Sequence, residues 1–298
     1  MKHTETAVRM VATEESFSEL ENQAHQEALD ALREKLQVRP PDAIVDWLNM
    51  LVYGDPGVGK TWLAGTAADD PRTSPVLYLD CEGGVTTIRH RRDIEVVPVR
   101  SIPQLEDIYN TLYYSIDPNT GKIPYGTVIV DPITELADLD MRTIMKAAFQ
   151  AKPDVVDIDV PSPREWGKNR NHIRLIVRGF RDLPCHVIIT ANAGRDQDNS
   201  TPPIVSYYPG FAGKLKTEIS GFMDIVGYLY PDATTGEIVR KLQVTGTRRI
   251  QAKDRTDRLG GVVVNPTIPM LWNLISADNP DNEGVTIDNE NQIEALVD

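Results

Sequence analysis

The chain has 298 residues, 41% of them hydrophobic and 25% charged, with a formal net charge of −13. That length is ample for one large α/β domain with additions, and the composition is that of a globular protein. The acidic balance argues against a general polyanion binder, no apolar run nears the ~20 residues of a membrane span, and the N-terminus lacks a basic-then-apolar leader pattern, so a cytoplasmic protein without a membrane partner is expected.

Residues 1–15 are polar. Residues 16–37 repeat apolar positions at helical spacing, with Leu20, Ala24, Ala28 and Leu32 on one face, until Arg39-Pro40-Pro41 breaks the pattern. A helical N-terminal extension over 1–40 is expected. From Trp47 the pattern becomes that of βαβ units, and residues 41–277 are expected to form the core. Strands are predicted at 47–54, 76–80, 94–99, 126–131 and 185–191, and helices at 61–68, 102–113 and 133–150. Another helix opens at Ser162-Pro163-Arg164-Glu165, with a Ser N-cap, Pro at the first position and Glu at the third, and runs to about Asp182. Continuous apolar strand runs suit a mainly parallel sheet covered on both faces. A long polar loop follows, then a hairpin-like pair of runs at 223–230 and 238–246. Asp278 to Asp298 holds seven acidic residues and no Lys or Arg, and without it the charge is −6. That segment, 278–298, is expected to be a disordered acidic tail. Cys81 and Cys185 lie in apolar runs and read as buried thiols, and the five histidines have no metal-ligand spacing.

Residues 54–61, GDPGVGKT, fit G-x-x-x-x-G-K-[ST] between an apolar strand and a helix. Gly54, Gly57 and Gly59 let the backbone wrap closely around phosphate, and the loop amides face its charge. Gly54, Asp55, Pro56, Gly57, Val58, Gly59, Lys60, Thr61 and Trp62 therefore form a candidate ATP site. Lys60 would reach the β- and γ-phosphates and Thr61 would ligate Mg²⁺. Asp131 ends the buried run GTVIVD and is the second candidate metal residue. Pro132 occupies the position where many AAA-type ATPases place a Glu, and Glu135, a helical turn further on, is expected to point elsewhere. No N-K-x-D or T-K-x-D run suggests a GTPase.

VLYLDCEGG (76–84) resembles the D-x-E strand end of RecA-class ATPases. The resemblance implies that Glu82 is the general base that activates water, with Asp80 in support. TVIVDPITEL resembles the Walker B strand and helix of that class, and HVIITAN the next core strand, which places Asn192, with Thr190 as neighbour, at a γ-phosphate-sensing position. QAKDR (251–255) resembles the K-x-R element of RadA-like and ring-helicase relatives, which implies that Lys253 and Arg255 act on a neighbouring subunit's nucleotide. Over residues 45–258 the order of these pieces is most similar to short phage RecA-like ATPases, including the RecA-like branch of the Sak single-strand annealing proteins. The implied fold is a RecA-like P-loop core. The implied activity is ATP hydrolysis at interfaces of a homo-oligomeric ring or filament acting on single-stranded DNA in phage recombination or replication, by annealing or strand exchange. A ring-forming helicase or translocase, and a nucleotide-dependent protein-interaction switch without DNA, are the alternatives. The acidic tail is a candidate contact for phage or host replication and recombination proteins.

Residues 194–216 lie where RecA carries a mobile DNA-binding loop. Tyr207, Tyr208 and Phe211 beside Lys214 and Lys216 suit single strands, because aromatics stack on bases and lysines meet phosphates. Arg170, Arg174 and Arg178 recur every four residues on one helix, and Arg89-His90-Arg91-Arg92 is a short basic cluster.

Overall fold

Six of the apolar runs line up as parallel strands. They are β1 (Asn49–Gly54), β2 (Val76–Asp80), β3 (Ile94–Pro98), β4 (Thr127–Asp131), β5 (His186–Gln197) and β7 (Ile225–Asp232), in the order β7-β1-β5-β4-β2-β3. The computed structural model describes residues 22–38, 47–234 and 236–276. The predicted hairpin is present: β8 (Val239–Gln243) returns antiparallel to β7, and β10 (Val262–Val264) adds antiparallel to β8. Two short antiparallel additions lie off this path, β6 (Val205–Pro209) on β5 and β9 (Lys253–Asp254) on β7.

The contacts divide the chain into two units, Met1–Asp46 and Trp47–Asp298. In the first, residues 22–36 form helix α1, on which Leu32 and Leu36 are exposed. Leu20, the Arg39–Pro41 break and the acidic tail lie outside the described residues.

In the second unit both faces of the sheet are covered. Leu51, Leu79, Val130 and Ile189 point to one face. There they meet α3 (Ile102–Tyr114), α4 (Ile133–Ala151), α5 (Pro163–Arg181) and α6 (Leu215–Phe222). Met50, Val52, Tyr78, Ile129 and Ile188 point to the other, under α2 (Lys60–Gly65) and α7 (Ile268–Ile275). Strand side chains alternate between faces, so a strand buried on both sides must be apolar at every position, as these runs are. Each such side chain contributes about 1.5–3 kcal/mol by leaving water. Cys81 and Cys185 are buried free thiols.

Sequence-based expectation and structure differ most at 194–216. The predicted loop is instead a continuation of β5 to Gln197, paired with β6 and followed by α6. The consecutive half-buried Tyr207 and Tyr208 of β6 stand opposite Arg195 and Gly194 in that ladder. Among the described residues, no helix is long and apolar enough to cross a membrane.

Candidate active site

Parallel strands bring their carboxyl ends to one edge, where helix N-termini and loops gather. Gly54, at the end of β1, stands opposite Asn192 of β5, and Asp131, at the end of β4, stands opposite Asp80 of β2. The P-loop begins at Gly54 because no other residue fits: a Cβ there would lie 2.4 Å from the carbonyl oxygen of Leu229. The loop ends at Gly59, the N-cap of α2, at φ 104° in the left-handed region that favours glycine. No side chain caps α2, whereas Ser101, Ser162 and Thr267 cap α3, α5 and α7. α4 and α6 also lack a side-chain cap, but only α2 follows the glycine-rich loop, so its first amides and that loop together face an anion.

Lys60 is only 8% exposed, and its ammonium donates to the carbonyls of Gly54 (2.9 Å) and Asp55 (3.1 Å). Burial holds its pKa below the ordinary lysine value, against the charges of Asp131, Glu82 and Asp55. Thr61 Oγ1 donates to Asp131 Oδ2 at 2.6 Å. Asp131 is 3% exposed and also accepts from the hydroxyls of Tyr78 and Thr190. Thr190, rather than Asn192, is the β5 side chain bonded to Asp131. Asn192 is fixed through its backbone, its N–H donating to Thr134 Oγ1 (3.1 Å) and its carbonyl accepting from Gly210 N–H (2.8 Å).

The D-x-E strand end splits by role. Asp80 is buried and accepts from the amides of Gly83 (2.8 Å) and Gly84 (3.0 Å), which shapes the turn. Cys81 N–H donates to the Asp131 carbonyl, locking β2 to β4. Glu82 is exposed, yet partial desolvation of its carboxyl, then the charges of Asp131, Glu135 and Asp80, push its pKa up against the pull of Lys60. Glu135 therefore lies within electrostatic reach of Glu82. Asp131-Pro132 leads directly into α4, so the first turn of that helix stands over the same sheet edge.

Lys253 and Arg255 stand away from this edge. Lys253 pairs with Val226, which is level with Leu51, three residues before Gly54. Its ammonium donates to the Met223 (2.7 Å), Gly221 (3.3 Å) and Ser220 (3.4 Å) carbonyls at the C-terminus of α6. Arg255 pairs with Asp224 at 2.5 Å. The expected DNA residues are mostly engaged inside the chain. Phe211 is 5% exposed and part of the core, a correction to its reading as a stacking residue, because its ring is buried in the apolar cluster on the α3–α6 face of the sheet and has no face open to a base. Tyr207 stacks on Tyr228 at 5.1 Å. Lys216 lies 3.6 Å over the Tyr208 ring, and both side chains bond to Asp196. Lys214 is exposed at the N-cap of α6.

Two residues at the P-loop escaped the sequence reading. Arg195 of β5 pairs with Asp55 and lies over the Tyr207 ring. Arg240 of β8 donates from Nε to the Val58 carbonyl (3.2 Å) and its guanidinium stands 5.3 Å from the Trp62 ring. Neither belongs to a local pattern; only strand pairing brings them there.

A family model described as an AAA domain matches residues 47–256, the span from β1 through β9. The chain belongs to this AAA domain family. With its P-loop and the buried Asp131 beside it, this AAA-domain chain is a nucleotide-binding P-loop ATPase. Among solved structures, the KaiC-like protein PH0186 from the hyperthermophilic archaeon Pyrococcus horikoshii OT3 is similar at 14% identity and a TM-score of 0.38, over 74% of this chain and 89% of that one. No curated protein matches.

Proposed function

We propose that this AAA-domain protein is a RecA-class ATPase that hydrolyses ATP with Mg²⁺ at an interface between subunits and acts on single-stranded DNA in phage recombination or replication. The observation that carries the reading is the gathering of Lys60, Thr61, Asp131 and Glu82 at adjoining strand ends. Thr61 and Asp131 fit Mg²⁺. They offer hard oxygens 2.6 Å apart, and no group of three His, Cys, Asp or Glu among the described residues forms a fuller cage. That suits an ion held by one or two side chains, with water and phosphates completing its shell. When bound, the ion neutralises charge on the β- and γ-phosphates. Lys60 would turn from the loop carbonyls to the γ-phosphate. Glu82 would orient a water in line with that phosphorus and take its proton, as the P–O bond to ADP breaks.

Lys253 and Arg255 stand too far down the sheet for their own P-loop, which supports a role on a neighbour's nucleotide. That role requires their present contacts with α6 and Asp224 to exchange. AAA-domain membership favours a second reading, a ring-forming translocase. ATPase activity with and without single-stranded DNA, on wild type and Glu82→Gln, tests the proposal, with duplex unwinding as the discriminating assay. Normal turnover by a well-folded Glu82→Gln protein would falsify the assignment of the base, and directional unwinding would favour the translocase.

A further inference from the structure

Helix α5 is charged unlike the rest of the molecule. The chain carries −13, yet α5 bears Arg164, Lys168, Arg170, Arg174, Arg178 and Arg181. Its one carboxylate, Glu165, is spent on the N-terminal capping box. Asp154, Asp157 and Asp159 precede the helix, and none follows within it before Asp182. Several surface arginines elsewhere meet carboxylates, as in Arg91 with Asp69 and Asp93, Arg195 with Asp55, and Arg248 with Asp198, while Arg89, Arg92, Arg142 and Arg249 are scattered rather than aligned on one helix. Among the described residues no ion pair joins Arg170, Arg174 or Arg178 to a carboxylate. Arg174 bonds to the Asn171 side chain (2.7 Å), and Arg178 lies over the Phe222 ring. Like charges four residues apart cost helix stability, so helix formation does not account for this stripe.

Beside the stripe, Trp166 is 43% exposed, one turn before Arg170. It walls a cavity of about 380 Å³, together with Gly167, Arg170, Gly213 and Lys214. A Cβ at Gly167 or Gly213 would meet nothing within 4 Å, so the cavity is open above both. A helix-interior glycine weakens a helix, and here no close neighbour requires one.

We infer that the outer face of α5 is a binding strip for single-stranded nucleic acid, with Trp166 as the stacking platform and Arg170, Arg174, Arg178 and Lys214 as the phosphate contacts. This rests on the reading above that the protein acts on single-stranded DNA, and moves the contact from the hairpin tyrosines to α5. Helical rise sets successive arginines ~6 Å apart along one line. That spacing is commensurate with successive phosphates of an extended strand. An exposed indole adds stacking that only an unpaired base offers. The aromatics of 194–216 are poorer candidates: Phe211 is in the core and the Tyr208 ring is covered by Lys216.

The test is fluorescence anisotropy of a labelled oligo-dT against the full chain with a non-hydrolysable ATP analogue, over a salt series. Arg170→Ala/Arg174→Ala should weaken binding tenfold or more and reduce the log–log salt slope by about 1.4, from ~0.7 per phosphate contact on single strands. Arg170→Lys/Arg174→Lys should keep most of the slope. Trp166→Ala should cost about tenfold, within the range for one stacked base. Tyr208→Ala/Lys216→Ala should bind as wild type does. Thermal melts confirm that each variant is folded. If wild type binds no oligonucleotide at low salt, the single-strand reading fails and this inference with it. If wild type binds and the Arg170/Arg174 variant keeps its affinity and slope, only the assignment to α5 falls. Equal competition by duplex, or a strip that loses a 278–298 peptide but not DNA on mutation, overturns it as well.

Discussion

The hydroxyl of Thr61 donates to the carboxylate of Asp131 across 2.6 Å, tying the first turn of α2 to the end of β4. Asp131 is buried and collects two more hydroxyls, from Tyr78 and Thr190. Asp131→Asn keeps the shape but replaces an ionised acceptor with a neutral amide. Charge-assisted bonds are roughly twice as strong as neutral ones, so stability should fall by about 1–3 kcal/mol. ATPase should fall about 100-fold or more through loss of metal affinity, partly recovered by excess Mg²⁺. Thermal melts and a Mg²⁺ titration of turnover check both parts. Unchanged Mg²⁺ dependence would remove Asp131 from the metal site.

Glu82 gives a pH prediction. Its pKa is raised, chiefly by desolvation and then by the Asp131 and Glu135 charges. A general base works only when ionised, so activity should be lost as pH falls through that raised value. The acid limb should therefore stand above the ~4.3 of an ordinary glutamate. Glu135→Gln removes one opposing charge and should move the limb to lower pH. Glu82→Gln should cut the rate by roughly 10²–10⁴ while leaving ATP binding in place. A limb that does not move in Glu135→Gln would mean that these two carboxylates do not interact.

Lys253 and Arg255 separate structure from chemistry. Lys253 closes the C-terminus of α6, where a cation meets both the helix dipole and bare carbonyls. Lys253→Met should lower stability by about 1–2 kcal/mol on that account. Arg255 makes an exposed pair with Asp224, so Arg255→Ala should cost at most ~1 kcal/mol. If Arg255 also serves a neighbouring subunit, Arg255→Ala should abolish turnover alone and regain part of it when mixed with Lys60→Ala. No recovery in mixed assemblies of folded subunits would end the trans assignment.

These contrasts follow from what a sequence can encode locally. The P-loop, the β4 end and the β2 end were legible because each joins an apolar run to a fixed order of special residues. The doubly buried strands were legible for the same reason, as unbroken apolar runs. The β5–β6 hairpin was not, because the β5 extension is polar and the adjacent Tyr207-Tyr208 of β6 break any alternation before Pro209, so the stretch reads as a loop. Thr190 outranked Asn192 at Asp131 through register: both lie on one sheet face by pleat, but Ile189 stands opposite Val130, so Thr190 is level with Asp131 and Asn192 lies two residues beyond it.

His186 sets an acid limit on the fold. It is buried between Trp47 and Trp272, accepts from Leu48 N–H at Nδ1 (2.9 Å), and burial pulls its pKa down to about 4. Between the ordinary ~6.5 and about 4, the unfolded chain holds a proton that the folded chain excludes. Stability should thus decline as pH falls through that window, by on the order of 3 kcal/mol. Melting temperatures from pH 7 to pH 4 check this. His186→Gln, which keeps an acceptor, should flatten the slope across that window.

Arg240 reaches the P-loop from β8, and its position is set twice over. Its backbone N–H donates to Asn265 Oδ1 (3.0 Å) and its carbonyl accepts from Asn265 N–H (2.6 Å). Its side chain then bonds the Val58 carbonyl and lies over Trp62, which is 37% exposed. One guanidinium therefore touches both the phosphate loop and the aromatic residue that follows Thr61. A nucleotide on this loop should sense both: the guanidinium through its phosphate charge and the indole through the nearby base. Arg240→Ala should weaken ATP binding roughly 5- to 20-fold, the low end for a charged hydrogen bond at an exposed site. Arg240→Lys keeps the charge but loses the planar stack, and should fall between. Nucleotide should quench tryptophan fluorescence in wild type, and Trp62→Phe should remove most of that signal. Unaltered affinity in Arg240→Ala, together with a quench that survives in Trp62→Phe, would place the nucleotide's base elsewhere and leave Arg240 as a brace for the loop.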